Sequence, residues 1–313
     1  MRRIFTALVL LGLIGLGIFY VLTIPGSVPA SALPQHVADV KNGEEVFNVG
    51  GCASCHATPV SDKCTDPKSK DKHVLAGGRC LVTPFGTFYP PNITPDKTNG
   101  IGGWSDAEFV TAMTKGVSPG GDHYYPAFPF TSYQKMKTED ILDLRAFMLT
   151  LPVVATPSHP HELALPFKLR RGIGLWKLLF LDGKKFTPDA AQSEILNRGQ
   201  YLVEGAGHCA ECHSPRNLAG GIEGSLRYAG GPDAENIGWV PNISQAKDGI
   251  GSWSQKDIEA MFADGSKPNG DYVGGSMVSV QENIAKISKE DRSAMAAYLK
   301  TLPAVSNPRP KKN

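Results

Sequence analysis

The chain reads GCASCHATP at residues 51–59 and HCAECHSPR at 208–216. Each stretch holds two cysteines separated by two residues, with a histidine directly after the second. Three chemistries use such a unit. A zinc site needs two cysteine pairs that converge on one ion, but here the units lie 157 residues apart and each has its own histidine. A thioredoxin-type redox pair accompanies a βαβ pattern, which neither stretch shows. The third is covalent attachment of c-type haem. Both thiols form thioethers with the vinyl groups, and the adjacent histidine becomes the proximal iron ligand. One helical turn presents both sulfurs to one edge of the macrocycle and swings the imidazole under the iron. This reading assigns Cys52, Cys55, Cys209 and Cys212 to attachment, and His56 and His213 to iron.

The chain around these units repeats. PNITPDKTNGIGGWS at 91–105 matches PNISQAKDGIGSWS at 241–254, and TEDILDLRAFMLTLP at 138–152 matches SKEDRSAMAAYLKTLP at 288–303. Two domains on one plan are expected, at 36–153 and 190–305. They lie between an N-terminal segment (1–35), a connector (154–189) and a tail (306–313). Each domain reads as three short helices joined by long loops. The first leads into the cysteine unit, around Gly43–Val49 and Ile195–Glu204. The second opens with a capping box, Ser105 with Glu108 and Ser254 with Asp257. The third starts at Thr138 or Ser288, with acids in its first turn, and stops at a Leu-Pro that cannot continue it. No strand pattern is visible, so the domains are expected to be all-α. Helices this short need something large and apolar to pack around.

A sixth iron ligand has to come from elsewhere. Met113 and Met261 match on the second helix, and Met148 and Met295 lie on the third, where they read as core residues. Met136 and Met277 fall in the irregular segment before the third helix, where a chain can curl over the far face of a haem. Met277 is the expected ligand in the second domain. Counting from Asp122 and Asp271 sets Phe128 opposite Met277, and phenylalanine cannot ligate iron. Met136 is the candidate for the first haem, with His123 second; otherwise that iron is five-coordinate. His36, His73, His159, His161 and His208 read as surface or locally bonded residues. Cys64 and Cys80 remain and close a loop of 17 residues, where a disulfide is expected.

Arg2 and Arg3 precede an uncharged run from Ile4 to Ile24. Its length matches the hydrocarbon core of a bilayer, about 30 Å, and the basic flank keeps the N-terminus cytoplasmic. The expectation is an uncleaved anchor in the inner membrane with the haem domains in the periplasm. The rival is a cleaved signal peptide using Ala30-Ser31-Ala32. The connector contains LALPFKLRRGIGLWKLLFLDGKK (163–185), in which apolar clusters alternate with Lys168, Arg170, Arg171, Lys177, Lys184 and Lys185. Such a segment suits an anionic membrane surface, a docking partner, or a connector with a solvated basic face. A net charge of +2 implies no nucleic-acid partner. No catalytic triad, phosphate loop or paired carboxylates are visible, so the expected role is electron transfer rather than bond chemistry.

GGCASCH, AGGRCLVTPFGTFYPPNITPDKTNGIGGWS, YYPAFPF, YQKM and GHCAECHSPRN resemble the multihaem cytochrome c subunits of membrane-bound periplasmic dehydrogenases. These include the cytochrome subunits of quinoprotein alcohol dehydrogenase and flavin-dependent gluconate dehydrogenase; similar cytochromes serve some molybdenum hydroxylases. The resemblance spans nearly all of 36–305. It implies an all-α fold of two tandem class I cytochrome c-like domains, each a few short helices around a covalently bound haem c, after an N-terminal transmembrane helix. It also implies a dihaem carrier that takes electrons from a dehydrogenase catalytic subunit toward quinone, a soluble cytochrome or a terminal oxidase. There are departures: the best-known relatives carry three haems, many have methionine where Phe128 stands, the Cys64/Cys80 loop looks inserted, and the three-haem subunits are not usually held by an N-terminal anchor. The alternative is a dihaem redox enzyme, peroxidase-like or thiosulfate dehydrogenase-like, with an open iron in the first domain.

Overall fold

The computed structural model describes residues 1–61, 69 and 71–310. Helix α1 (Arg2–Leu22) has no buried residue and is long and apolar enough to cross a membrane. The first domain follows as α2 (Val40–Val49), α3 (Cys52–His56), β1 (Leu81–Thr83), β2 (Gly86–Phe88), α4 (Asp106–Lys115), α5 (Phe130–Tyr133) and α6 (Thr138–Met148). The connector holds β3 (Glu162–Leu163) and α7 (Gly172–Phe180). The second domain has α8 (Glu194–Glu204), α9 (Cys209–His213), β4 (Gly231–Pro232), β5 (Trp239–Val240), α10 (Gln255–Asp264), α11 (Ser276–Ile284) and α12 (Lys289–Leu299).

Local chemistry sets the helix ends. Asp39 caps α2 by accepting from the amides of Lys41 and Asn42, and Ser193 caps α8. Both expected capping boxes form at α4 and α10. Gly116 and Gly265 then end these helices in the left-handed conformation, where a side chain would be strained. In each domain the first helix crosses the last, α2 on α6 and α8 on α12. The crossing is closest at a glycine. A Cβ on Gly43 would lie 2.0 Å from the Asp143 carbonyl oxygen, and one on Gly199 would lie 1.9 Å from that of Ala294. Gly199→Ala is expected to force α8 off α12 at a cost of about 1–3 kcal/mol. Denaturant unfolding checks this, and an unchanged midpoint would refute it.

The structure adds elements absent from the helical pattern. β1 and β2 form an antiparallel hairpin with Leu81 opposite Phe88, and β3 joins its edge, Gly86 opposite Leu163. β4 and β5 pair in the second domain. Strands of two or three residues are too short to show alternation. Met277 lies inside α11 rather than in an irregular segment.

One continuous core runs through both domains, joining Phe47, Met136 and Ile141 to Leu202, Ile258 and Met295. The seam between the domains has a repeating logic. Ser54 and Glu211 occupy the same position in their cysteine units. The Ser54 hydroxyl accepts from Asn283 Nδ2 at 2.8 Å and bonds Ser279 Oγ at 2.8 Å, both on α11. The Glu211 carboxylate accepts from Thr131 and Ser132 on α5, at 2.7 and 2.8 Å. Each cysteine unit is thus braced by the short helix that precedes the last helix of the other domain. Arg79 to Glu235 at 2.8 Å, and Lys72 to Glu282, add ion pairs across the seam.

Candidate haem sites

Each cysteine unit folds into one helical turn, α3 or α9. Both turns are entered through a left-handed residue, Gly51 (φ 56°) and His208 (φ 38°). Cys52, Cys55, Cys209 and Cys212 are not paired in disulfides. Cys55 and Cys212 are exposed, yet surrounding protein pushes the Cys212 thiol up to about 11; it pushes Cys52 and Cys209 up to about 12. Cys52 and Cys209 pack half-buried against the core, while Cys55 and Cys212 face outward. Among the described residues no cluster of three or more His, Cys, Asp or Glu could hold a metal ion. A tetrahedral zinc site therefore does not assemble from these cysteines.

The histidines are oriented in the same way in both domains. His56 Nδ1 is 2.9 Å from the Pro91 carbonyl oxygen, and His213 Nδ1 is 2.8 Å from that of Pro241. A carbonyl only accepts, so Nδ1 carries the proton and Nε2 presents its lone pair. Burial also pushes both imidazoles below their ordinary range, which keeps them neutral. A histidine with its outer nitrogen bonded to a carbonyl has the usual arrangement of an iron or zinc ligand. The thiols and the imidazoles both fit covalent haem.

The same geometry explains the repeated Pro-Asn-Ile. The proline carbonyl orients the histidine. The asparagine then fastens the segment to the chain that leaves the domain. Asn92 Nδ2 donates to Val154 and Thr156 carbonyls at 2.7 and 2.8 Å, and Asn242 Nδ2 donates to Val305 at 2.7 Å. Each asparagine oxygen accepts from the amide two residues on, in Thr94 or Ser244. Gly78 is a further residue that the sequence reading missed. A Cβ there would lie 1.6 Å from the Cys55 carbonyl oxygen, so only glycine lets this segment pass against α3.

The axial candidates are placed differently. Met277 is half-buried against the core. Phe128 packs edge-on to Tyr124 and Tyr133. Met136 is 1% exposed, and its Cγ would be 3.6 Å from a Cβ on Gly205 of the other domain. It directly precedes the N-cap of α6, as Ile287 precedes that of α12, and Ile287 is also buried. Met136 lies one turn past Tyr133, whose phenol is pushed well up by burial and by the nearby Cys52 and Cys55. His123 is engaged at both ring nitrogens, with Thr23 O at 2.9 Å and Lys177 Nζ at 3.0 Å. His208 bonds the Gly50 carbonyl across the seam. Cys80 is buried and disulfide-bonded, while Cys64, its expected partner, lies outside the described residues.

A buried carboxylate stands beside the second unit. Glu204 accepts from Lys135 and Arg227 at 2.5 Å, and from the hydroxyls of Tyr228 and Tyr298 at 2.6 and 3.1 Å. Burial works to raise its pKa, but Arg227 and Lys135 hold it down to about 2, below its ordinary 4.5. Because the folded value lies below the unfolded one, the carboxylate's stabilisation is full above pH 4.5 and is lost as pH falls toward 2. Glu204→Gln is expected to be less stable at neutral pH and to lose stability less steeply over that acid range. Parallel acid-unfolding curves for the variant and the parent would contradict this.

The cytochrome c family model matches residues 40–152 and 196–303. The chain belongs to the cytochrome c family. It is an electron-transfer protein with two c-type haems, one in each matched half. It is 43% identical over 305 residues to the "Diheme cytochrome c-type" protein of Cereibacter sphaeroides, covering 97% of this chain and all of that one. It is 35% identical to the gluconate 2-dehydrogenase cytochrome c subunit of Pantoea cypripedii, covering 89% of this chain and 64% of that subunit. It is 33% identical to the fructose dehydrogenase cytochrome subunit of Gluconobacter japonicus, covering 88% of this chain and 54% of that subunit.

Proposed function

We propose that this chain is a dihaem carrier anchored in the inner membrane by α1, with its haem domains in the periplasm. It accepts electrons from a dehydrogenase catalytic subunit and passes them to quinone, a soluble cytochrome or a terminal oxidase. The observation that carries this reading is the matched pair of histidine–proline carbonyl sites, braced into each other across one seam. The relatives that are dehydrogenase cytochrome subunits supply the partner class. Haem, when bound, supplies reversible one-electron chemistry.

The chain's own residues do the holding. Cys52 and Cys55, and Cys209 and Cys212, fix the macrocycles. His56 and His213 offer Nε2, and the Pro91 and Pro241 carbonyls fix ring orientation and raise ligand basicity. Met277 is proposed opposite His213. Met136, the methionine beside Tyr133, is proposed opposite His56. With a histidine and a methionine holding each iron, no position would remain for a substrate, which would favour a carrier. Phe128, in the place that Met277 holds in the other half, is the one observation that favours a peroxidase-like or thiosulfate dehydrogenase-like enzyme.

A tagged chain, extracted from its own membranes in mild detergent, is expected to co-purify with a dehydrogenase catalytic subunit and to be reduced when that enzyme's substrate is added. A chain that purifies alone and stays oxidised would overturn the reading.

A further inference from the structure

Helix α7 is built inside out. Its nine residues, GIGLWKLLF, carry one charged side chain, Lys177, and that side chain is buried. Lys177 Nζ donates to the carbonyls of Lys115 and Gly116 at the C-terminal end of α4, at 2.6 and 2.7 Å. There the amine meets the negative end of the helix dipole. On the opposite side Leu175, Leu178 and Leu179 share one face, at i, i+3 and i+4, and are 40%, 60% and 74% exposed. A helix lying in water has the reverse pattern. Leu165 and Leu169, just ahead of α7, are also exposed, at 74% and 65%.

Helix α1 indicates what covers these leucines. Its C-terminal end docks on α7. A Cβ on Gly174 would come within 2.6 Å of Thr23, so only glycine permits the approach. Arg171 donates to the Tyr20 carbonyl at 3.0 Å and stacks over the Tyr20 ring at 4.5 Å. The point where the apolar span ends is therefore the point where α7 lies. Between Glu162 and Asp182 the segment carries Lys168, Arg170 and Arg171 besides the buried Lys177, and no acidic residue, a balance that suits anionic headgroups. The second domain holds α7 as well, through Trp176 Nε1 donating to Ala219 O at 2.9 Å and Phe180 lying against Gly221.

We infer that α7 is a membrane-surface helix, with Leu175, Leu178 and Leu179 seated among the acyl chains beside the exit of α1. The inference rests on the anchored reading of α1. Because α7 is fixed to both domains, it sets the orientation of the whole dihaem body on the bilayer. A protein partner would also cover leucines, but contact with the end of α1 selects lipid.

The test places a photoreactive benzoyl-phenylalanine at Leu178, at Leu179 or at Ile237, one at a time, in the full-length holoprotein in its own membranes. Ile237 is an exposed apolar residue outside this cluster. After illumination, mass spectrometry is expected to find phospholipid adducts at 178 and 179, several-fold above those at 237. Adducts to a polypeptide instead of lipid, no adducts, or equal lipid labelling at 237 would each overturn the proposal. Intact mass of the same preparation reads α1 separately. Loss of α1 overturns the anchor, whereas retained α1 without lipid labelling overturns α7 alone.

Discussion

Changing Cys209 and Cys212 together to serine is expected to yield a chain with one covalent haem instead of two, and with both domains less stable. Cys209 and Cys212 are the residues that would tether a haem to the second domain through thioether bonds, and serine cannot form them. The helices α8 to α12 run from 5 to 11 residues, too short to be stable without tertiary packing. The loss should not stay local. The core is continuous through both domains, and Glu211, between the two cysteines, holds Thr131 and Ser132 of the first domain. Domains are stable by only about 5–15 kcal/mol, so a disturbed second domain should lower the unfolding temperature of the first as well. Haem quantified per chain and thermal unfolding followed by circular dichroism read both parts. Two covalent haems in the double variant, or an unaltered transition for the first domain, would defeat the expectation.

The second large effect concerns the axial methionines. Met277→Ala is expected to keep two covalent haems, let carbon monoxide bind the second in its ferrous state, and lower that haem's midpoint potential. Thioether ligation raises potentials, and axial ligands move them over a range of about 0.8 V. Met136→Leu makes the parallel test in the first domain. Leucine conserves the volume packed against Gly205, so a new carbon monoxide band would report a lost ligand rather than a disrupted seam. If Met136→Leu leaves the reduced spectrum unresponsive to carbon monoxide, Met136 is a core residue like Ile287. If the unsubstituted protein already binds carbon monoxide at one haem, the enzyme reading that Phe128 favours moves ahead of the carrier.

The haem class was legible in the sequence because its motif is local. Two thioethers and a histidine must share one helical turn, so the spacing cannot hide. The repeat was legible for the same reason, since Ser105 with Glu108 and Ser254 with Asp257 write helix starts within four residues. Pro91 and Pro241 were visible as repeated letters but not as partners of His56 and His213. Their contribution is a backbone carbonyl, which any residue could supply. Gly43, Gly78 and Gly199 are needed only because another segment passes within van der Waals range, and no neighbour in sequence announces that. The connector is the sharpest case. Its mixture of leucines and basic residues could be read off, but which side faces inward is decided by the carbonyls of Lys115 and Gly116, some sixty residues away. The pattern alone would have turned Lys177 outward.

The reciprocal bracing at Ser54 and Glu211 has a kinetic consequence. Each attachment turn is tied to the opposite domain by hydrogen bonds of 2.7 to 2.8 Å, and the two halves share one core. The two cysteine turns are therefore held at a fixed spacing, and haems attached to them would be held so too, with no hinge between them for a docking protein to move. Control of turnover would then fall to electron entry and electron exit. The internal hop should run at one rate whichever enzyme loads it, so one such carrier could serve unrelated donors without being rebuilt inside.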